Sequence, residues 1–118
     1  MAQIQIWHNP RCSKSRQALS LLDENGVEKE VIKYLETNPS KEQISKVLAM
    51  LGFSSAREMM RTKEDIYKEL DLKNETDETK LIEAMAEHPK LIERPIIIKA
   101  EKAIIARPPE RVIEFLKA

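Results

Sequence analysis

The chain has 118 residues, and its 20 basic and 20 acidic side chains cancel to a formal net charge of zero. The length suits one domain over residues 1–118, and the balanced charge gives no overall field that would draw the protein to nucleic acid or to an anionic membrane, so neither is expected as a partner. No apolar run approaches the about 18 residues of a membrane span, and the first residues lack the pattern of a signal peptide, which together predict a cytoplasmic protein.

The first third of the chain predicts a β-α-β unit. Residues 4–7 alternate apolar and polar side chains, as a strand does, and a polar segment containing Pro10 follows them. Apolar residues at helical spacing predict a helix over 13–25 that ends at Gly26, and the β-rich segment 31–35 predicts a second strand. A β-α-β unit pairs its strands in parallel, and α/β proteins commonly place their sites at the turn after the first strand.

The middle of the chain, about residues 40–88, predicts a series of helices. Ser40 with Gln43 matches a capping box at the start of a helix that ends at Gly52. Further helices are predicted over residues 55–61 and 64–70 and from Asp77 to His88. This segment is short for an independent core and no flexible linker flanks it, so it is interpreted as a helical insertion.

The end of the chain returns to strands. Residues 95–99 and 103–106 predict a hairpin, and a last helix is predicted over 109–116. The order β-α-β, helical insertion, β-β-α predicts an α/β protein with a thioredoxin-like fold and a four-stranded mixed sheet.

Cys12 is the only cysteine, and it lies between the first strand and the first helix. A helix N-terminus offers unpaired N–H groups, and Arg11, Lys14 and Arg16 add positive charge, as would a protonated His8, so the thiolate should be favoured. A buried packing cysteine would have apolar neighbours, which are missing here. One cysteine excludes an internal disulfide and a cysteine metal cluster, and we expect no metal and no bound cofactor.

Four separated segments carry a further pattern: His8-Asn9-Pro10-x-Cys12 with Ser15-Arg16, then Met59-Met60-Arg61, then Arg94-Pro95-Ile96, then Arg107-Pro108. These motifs, in this order, resemble the ArsC-type arsenate reductases, which take electrons from glutathione and glutaredoxin. Within that family the chain is most similar to the YfgD-like branch, through Arg11, Ser13, Lys14 and Pro109.

The resemblance implies that the Cys12 thiolate attacks arsenate or a similar oxyanion. It assigns oxyanion binding to three arginines and thiolate stabilisation to two other residues: Arg61, Arg94 and Arg107, and His8 and Ser15. Planar guanidinium groups match a tetrahedral oxyanion through paired, charge-assisted hydrogen bonds, which agrees with that assignment. The role of His8 is chemical or structural, and supporting roles are expected for Asn9, Arg11, Arg16 and Pro95.

The resemblance also implies the partners. Glutathione would be the co-substrate and glutaredoxin the protein partner of an expected monomer, because a chain with one cysteine has no resolving thiol of its own. The Arg94-Pro95 peptide bond matches a position that is commonly cis in thioredoxin-like folds.

Two alternatives remain open. A monothiol thiol-disulfide oxidoreductase would use Cys12 in the same way, with arginines holding the carboxylates of glutathione. A Spx-type regulator that binds RNA polymerase shares the fold but uses a Cys-x-x-Cys switch, and this chain has Ser15 at the second position.

Other readings fit the sequence poorly. The phosphatase-like class of arsenate reductases would need arginine at the position of Ala18. Arg57 and Arg111 are interpreted as solvated surface charges.

Overall fold

The structure is a computed structural model that describes residues 4–117. Its elements in chain order are β1 (Ile4–Trp7), α1 (Ser13–Glu24), β2 (Lys29–Ile32), α2 (Tyr34–Thr37), α3 (Lys41–Leu51), α4 (Asp65–Glu69), α5 (Glu78–Glu87), β3 (Ile96–Lys99), β4 (Lys102–Ile105) and α6 (Arg111–Lys117). Short 3-10 turns cover Ala56–Met59, Leu72–Asn74 and Pro89–Leu91. The chain divides into two compact units, one of residues 38–93 and the other of the segments before and after it. Within the described residues no helix combines the length and apolar composition that crossing a bilayer requires.

The sheet lies in the unit that holds both ends of the described chain, and its strand order is β2-β1-β3-β4. β1 pairs in parallel with β2 and antiparallel with β3, which pairs antiparallel with β4. The β-α-β unit and the terminal hairpin therefore meet through β1, and the predicted four-stranded mixed sheet is confirmed. The strand register places Trp7, Ile96 and Ile105 side by side across β1, β3 and β4.

The core of this unit fixes α1 against the sheet. Ile6 of β1, Leu22 of α1, Ile97 of β3 and Val112 of α6 belong to one apolar cluster and are fully buried. Each side chain of this size contributes about 1.5–3 kcal/mol through burial. The buried positions of α1 recur at helical spacing and include the polar Ser15 as well as Ala18. The helix face that faces the core therefore carries a hydroxyl one turn from Cys12.

The second strand ends earlier than predicted. Residues 31–35 were expected in a strand, whereas β2 covers residues 29–32, and Tyr34 and Leu35 belong to α2. Tyr34 is fully buried and stacks on Trp7, with ring centroids 6.2 Å apart. The amides of Glu36 and Thr37 donate to the carbonyl of Lys33 and form a helical turn. Tertiary packing here overrides the strand preference of an aromatic residue.

The unit of residues 38–93 is helical, as predicted. The capping box is confirmed, because Ser40 Oγ accepts from the Gln43 amide at 3.1 Å and the Gln43 side chain accepts from the Ser40 amide at 2.8 Å. Gly52 ends α3 in the left-handed region at φ 74°, and Asp77 caps α5 by accepting from the Thr79 amide. The predicted helix over 55–61 is only a 3-10 turn, and α6 begins at Arg111, two residues later than predicted.

Arg57 is not the solvated surface charge that its sequence context suggested. Its Nε donates to the Tyr67 hydroxyl at 3.0 Å, and its Nη2 donates to the carbonyls of Leu72 at 2.8 Å and of Glu75. This partly buried guanidinium joins α4 to the loop that follows α4, so Arg57 has a structural role in this unit. Arg111 is exposed, as expected, and donates to the Ile105 carbonyl.

Candidate active site

Cys12 stands at the N-cap of α1, at the end of a short loop. His8 extends the parallel pairing beyond β1, since its amide donates to the Ile32 carbonyl at 2.8 Å. Asn9 then shapes the turn: its carbonyl accepts from the Cys12 amide and its Oδ1 accepts from the Arg11 amide, both at 3.0 Å. Cys12 has the extended backbone of an N-cap residue, with φ −95° and ψ 123°. The loop thus holds the sulfur beside the first turn of the helix.

The environment of Cys12 favours the thiolate. Partial burial alone raises the pKa of the thiol, but the Ser15 amide, the hydrogen bond and charge of Arg94, and the Lys14 amide outweigh it and lower the pKa below its ordinary value. The sulfur makes no cap hydrogen bond of standard geometry, so the two amides act as nearby dipoles in the first turn of α1. Cys12 also remains partly exposed. An accessible sulfur with a lowered pKa has the properties of a nucleophile.

Ser15 and His8 lie behind the loop and are buried, at 0% and 5% exposure. The Ser15 hydroxyl lies 2.6 Å from His8 Nδ1 and accepts from the Asn9 amide at 3.0 Å. This one hydroxyl joins the end of the strand, the loop and the helix. It therefore acts as a positioning group for the segment that carries Cys12.

His8 is not a source of positive charge at neutral pH. Burial lowers its pKa, and the nearby charges of Lys33 and Arg16 lower it further. The lowered pKa disfavours the protonated form of His8 at neutral pH, and the role of His8 beside the thiolate stays a prediction. The sequence analysis did not single out Lys33. This residue directly follows β2, which pairs in parallel with β1, so it lies beside His8 at the same end of the sheet.

Exposed cations surround the loop. Arg11, Lys14 and Arg16 all lie at the surface, and Arg16 Nη1 donates to the Pro10 carbonyl at 3.0 Å. In the part of the chain that the structure describes, none of the three forms an ion pair with a carboxylate. The chain is neutral as a whole, but the loop that carries Cys12 is locally positive.

Arg94 and Arg107 are brought to this edge by the sheet. β1 ends at Trp7, β3 begins at Ile96 and β4 ends at Ile105, and these three residues are neighbours in the register. Arg94 precedes β3 and interacts with the Cys12 sulfur, and Arg107 follows β4 and is exposed. The residues that precede β3 and follow β1 and β4 therefore collect at one end of the sheet.

Two peptide bonds at this edge are cis. The Arg94-Pro95 bond is cis, as the resemblance implied, and Pro95 is buried. The Arg107-Pro108 bond is also cis, which the sequence did not indicate. The Pro95 carbonyl accepts from the Ala106 amide at 2.9 Å, so the two arginine-proline segments are hydrogen-bonded neighbours.

Arg61 belongs to the helical unit. Its Nη1 lies 2.6 Å from Glu64 Oε1, and its amide donates to the Leu91 carbonyl. The guanidinium is partly buried, with a side-chain exposure of 26%. Its assignment as a third oxyanion-binding arginine stays a prediction. Among the described residues no group of three or more His, Cys, Asp or Glu side chains is placed to hold a metal ion.

Replacing Ser15 with alanine should weaken the site and the fold together. The change removes the hydrogen-bond partner of the buried Asn9 amide and His8 ring, which costs about 1–3 kcal/mol of unfolding free energy. With the loop less tightly held, the pKa of Cys12 should rise towards its ordinary value. Chemical unfolding and the pH dependence of iodoacetamide alkylation measure the two effects. Ser20→Ala, an exposed position on the same helix, is the control, and an unchanged alkylation profile in Ser15→Ala would contradict the positioning role.

Several known proteins are similar to this chain in sequence and in fold. The YfgD protein of Escherichia coli strain K12 is 55% identical over 97% of this chain and 97% of its own. A protein named arsenate reductase from Neisseria meningitidis is 51% identical over 95% of this chain and 97% of its own. A solved structure described as arsenate reductase from Vibrio cholerae superposes with a TM-score of 0.92 at 50% identity, covering 97% of this chain and 98% of that one.

These likenesses span nearly the whole chain and include both the sheet and the helical unit. The fold is thioredoxin-like, as the sequence predicted. Residues 7–115, from the last residue of β1 to the buried Phe115 of α6, match the ArsC family, and the chain belongs to that family.

Proposed function

We propose that the protein is an arsenate reductase that uses the Cys12 thiolate as its nucleophile. The observation that carries the proposal is a partly exposed cysteine at the start of α1, at the end of the sheet where the segments of Arg94 and Arg107 meet. Arg94 lowers the pKa of the Cys12 thiol, and the same positive charge would favour the approach of an oxyanion to the sulfur. Relatives from Neisseria and Haemophilus that are 51% and 45% identical are named arsenate reductase, which supports the same substrate here.

The proposed first step is attack of the Cys12 sulfur on arsenic. A sulfur–arsenic bond forms, and one hydroxyl group of arsenate takes up a proton and leaves as water, while arsenic stays pentavalent. Both reactants are negative, so the step needs fixed positive charge. Arg94 and Arg107 would supply it from the sheet edge, with Arg61 as the third ligand, through paired hydrogen bonds to the oxyanion.

The proposed second step is the reduction. A glutathione thiolate attacks the Cys12 sulfur, the sulfur–arsenic electron pair stays with arsenic, and arsenite leaves with trivalent arsenic. Cys12 is left in a mixed disulfide with glutathione. The chain has no second cysteine, so an outside thiol must resolve that bond, and we assign this role to glutaredoxin.

We further propose that the protein acts as a cytoplasmic monomer with no bound metal or organic cofactor, and that glutathione is a co-substrate. Residues 1–118 would serve as one functional domain.

A monothiol thiol-disulfide oxidoreductase is the second candidate. It is favoured by the exposed Arg11 and Lys14, which are unpaired with any carboxylate of the described residues and suit the carboxylates of glutathione. This function uses the same thiolate but needs no oxyanion site.

Purified protein incubated with arsenate, glutathione and glutaredoxin separates these functions. We expect arsenite to form only when all three are present. Disulfide reduction without arsenite would contradict the first proposal and support the oxidoreductase. Binding to RNA polymerase with neither activity would favour the regulator.

A further inference from the structure

A partly buried ion pair lies in the segment between the 3-10 turn Ala56–Met59 and α4. Arg61 Nη1 donates to Glu64 Oε1 at 2.6 Å, and the two side chains are only 26% and 27% exposed. The Lys41–Glu83 pair, by contrast, is exposed at 60% and 44%. Water and salt screen a partly buried pair less than an exposed one, so the Arg61–Glu64 pair is the stronger interaction.

The backbone holds both residues of this pair in place. The Arg61 amide donates to the Leu91 carbonyl at 2.6 Å, and Met60 forms a bridge with Ile92. The Glu64 amide donates to the Arg61 carbonyl at 3.3 Å and closes a turn. The carboxylate is therefore tethered beside the guanidinium, where it acts as an anion of high effective concentration.

The side chain of Glu64 is committed to this contact. Glu64 is the N-cap residue of α4, a position from which side chains commonly accept hydrogen bonds from the first helix amides, but its side chain makes no such bond. Within residues 4–117 neither the Glu64 side chain nor the Arg61 side chain makes another hydrogen bond or ion pair. Glu64 is thus the resident counter-ion of Arg61.

We infer that Glu64 competes with the oxyanion for Arg61 and so sets the affinity of the oxyanion. The role of Arg61 as an oxyanion ligand rests on the proposed function. An oxyanion that pairs with this guanidinium either displaces the carboxylate from Nη1 or binds the other edge of the guanidinium, against the negative charge of the carboxylate. Both cases lower its affinity, the first because Arg61 is already occupied in part of the population. Glu64 therefore acts through Arg61 and not in the chemical step.

Protection of Cys12 from iodoacetamide by sulfate measures this competition without arsenate or glutathione. The quantity compared is the sulfate concentration that gives half of the maximal protection, at constant ionic strength and pH. We expect Glu64→Gln to lower this concentration about two- to five-fold, the range for an ion pair near the surface. The amide keeps the size and the acceptor oxygen of the side chain and loses its charge. Glu69→Gln, which removes an exposed carboxylate from the same helix, is the control and should have no effect.

A double variant shows whether the effect of Glu64 passes through Arg61. Arg61→Ala should raise the half-protection concentration, and adding Glu64→Gln should then change it no further, because the group for which the carboxylate competes is gone. An equal gain with and without Arg61 would reveal a general effect of charge and overturn the inference. An unchanged or raised concentration in Glu64→Gln alone would overturn it as well.

Failure of the inference and failure of the proposed function give different results. If the wild type does not reduce arsenate while the sulfate results hold, the proposed reaction falls and Glu64 remains the competitor for Arg61. If arsenate is reduced and Glu64→Gln binds sulfate no better, only the inference falls. If sulfate does not protect the wild type, or protects Arg61→Ala equally well, the assignment of Arg61 to the oxyanion and the inference fall together.

Discussion

Cys12→Ser should abolish arsenate reduction. A serine hydroxyl is not ionised at neutral pH and cannot form the mixed disulfide that ends the proposed reaction. Loss of the nucleophile costs about 10⁶-fold in kcat in a well-studied protease, and a comparable fall would leave only the uncatalysed rate here. The measurement is arsenite formation with glutathione and glutaredoxin.

The variant is well suited to the test because the fold should survive. Cys12 is the N-cap of α1, and serine is among the best N-cap residues, so Cys12→Ser should unfold at a similar denaturant concentration to the wild type. Ser20→Ala on the same helix serves as the active control. Arsenite formation by a folded Cys12→Ser protein would show that the nucleophile is assigned wrongly.

Arg94→Ala should have two separable effects. It removes the hydrogen bond and the charge that favour the thiolate, so the pKa of Cys12 should rise. At a pH below the pKa a smaller fraction of the thiol is then ionised, and alkylation slows. The change would also remove one of the proposed ligands of the oxyanion, so arsenate or sulfate should protect Cys12 less well. Loss of one charge-assisted contact costs about 1.5–3 kcal/mol, or about ten-fold to more than a hundred-fold in affinity.

Iodoacetamide reactivity of Cys12, measured against pH and against oxyanion concentration, separates the two effects. Arg94→Lys should recover part of the pKa shift but less of the oxyanion protection, since lysine keeps the charge and loses the planar fork. Arg111→Ala, which changes an exposed arginine bonded to the Ile105 carbonyl, is the control. Unchanged protection in Arg94→Ala, Arg107→Ala and Arg61→Ala alike would contradict oxyanion binding by these arginines, and the oxidoreductase would become the leading function.

The parts of the fold predicted from sequence are those with local signals. The capping box at Ser40, the left-handed end of α3 at Gly52 and the Asp77 cap each depend on residues within a few positions of one another. The local sequence predicted a strand at Tyr34. Its place in α2 depends instead on stacking against Trp7, which lies far away in the chain.

The same distinction applies to the site. The position of Cys12 at a helix start was evident from the order of elements, whereas the effect of Lys33 on His8 depends on the parallel pairing of β1 with β2. Arg57 looked like a surface charge because its hydrogen-bond partners are 10 to 18 residues away in sequence. Such contacts have no periodic signature.

The buried hydroxyl of Ser15 also limits how this family member can evolve. Ser15 occupies the position at which a dithiol protein carries its second cysteine, and it is committed to two buried hydrogen bonds, to His8 and Asn9. A thiol is a weak donor and a weak acceptor, so a second cysteine there would loosen the loop that presents the first. In the proposed reaction, the use of an external thiol would therefore follow from the hydrogen bonds that hold the loop. A mixed disulfide at Cys12 would then persist for a time set by the concentration of that thiol.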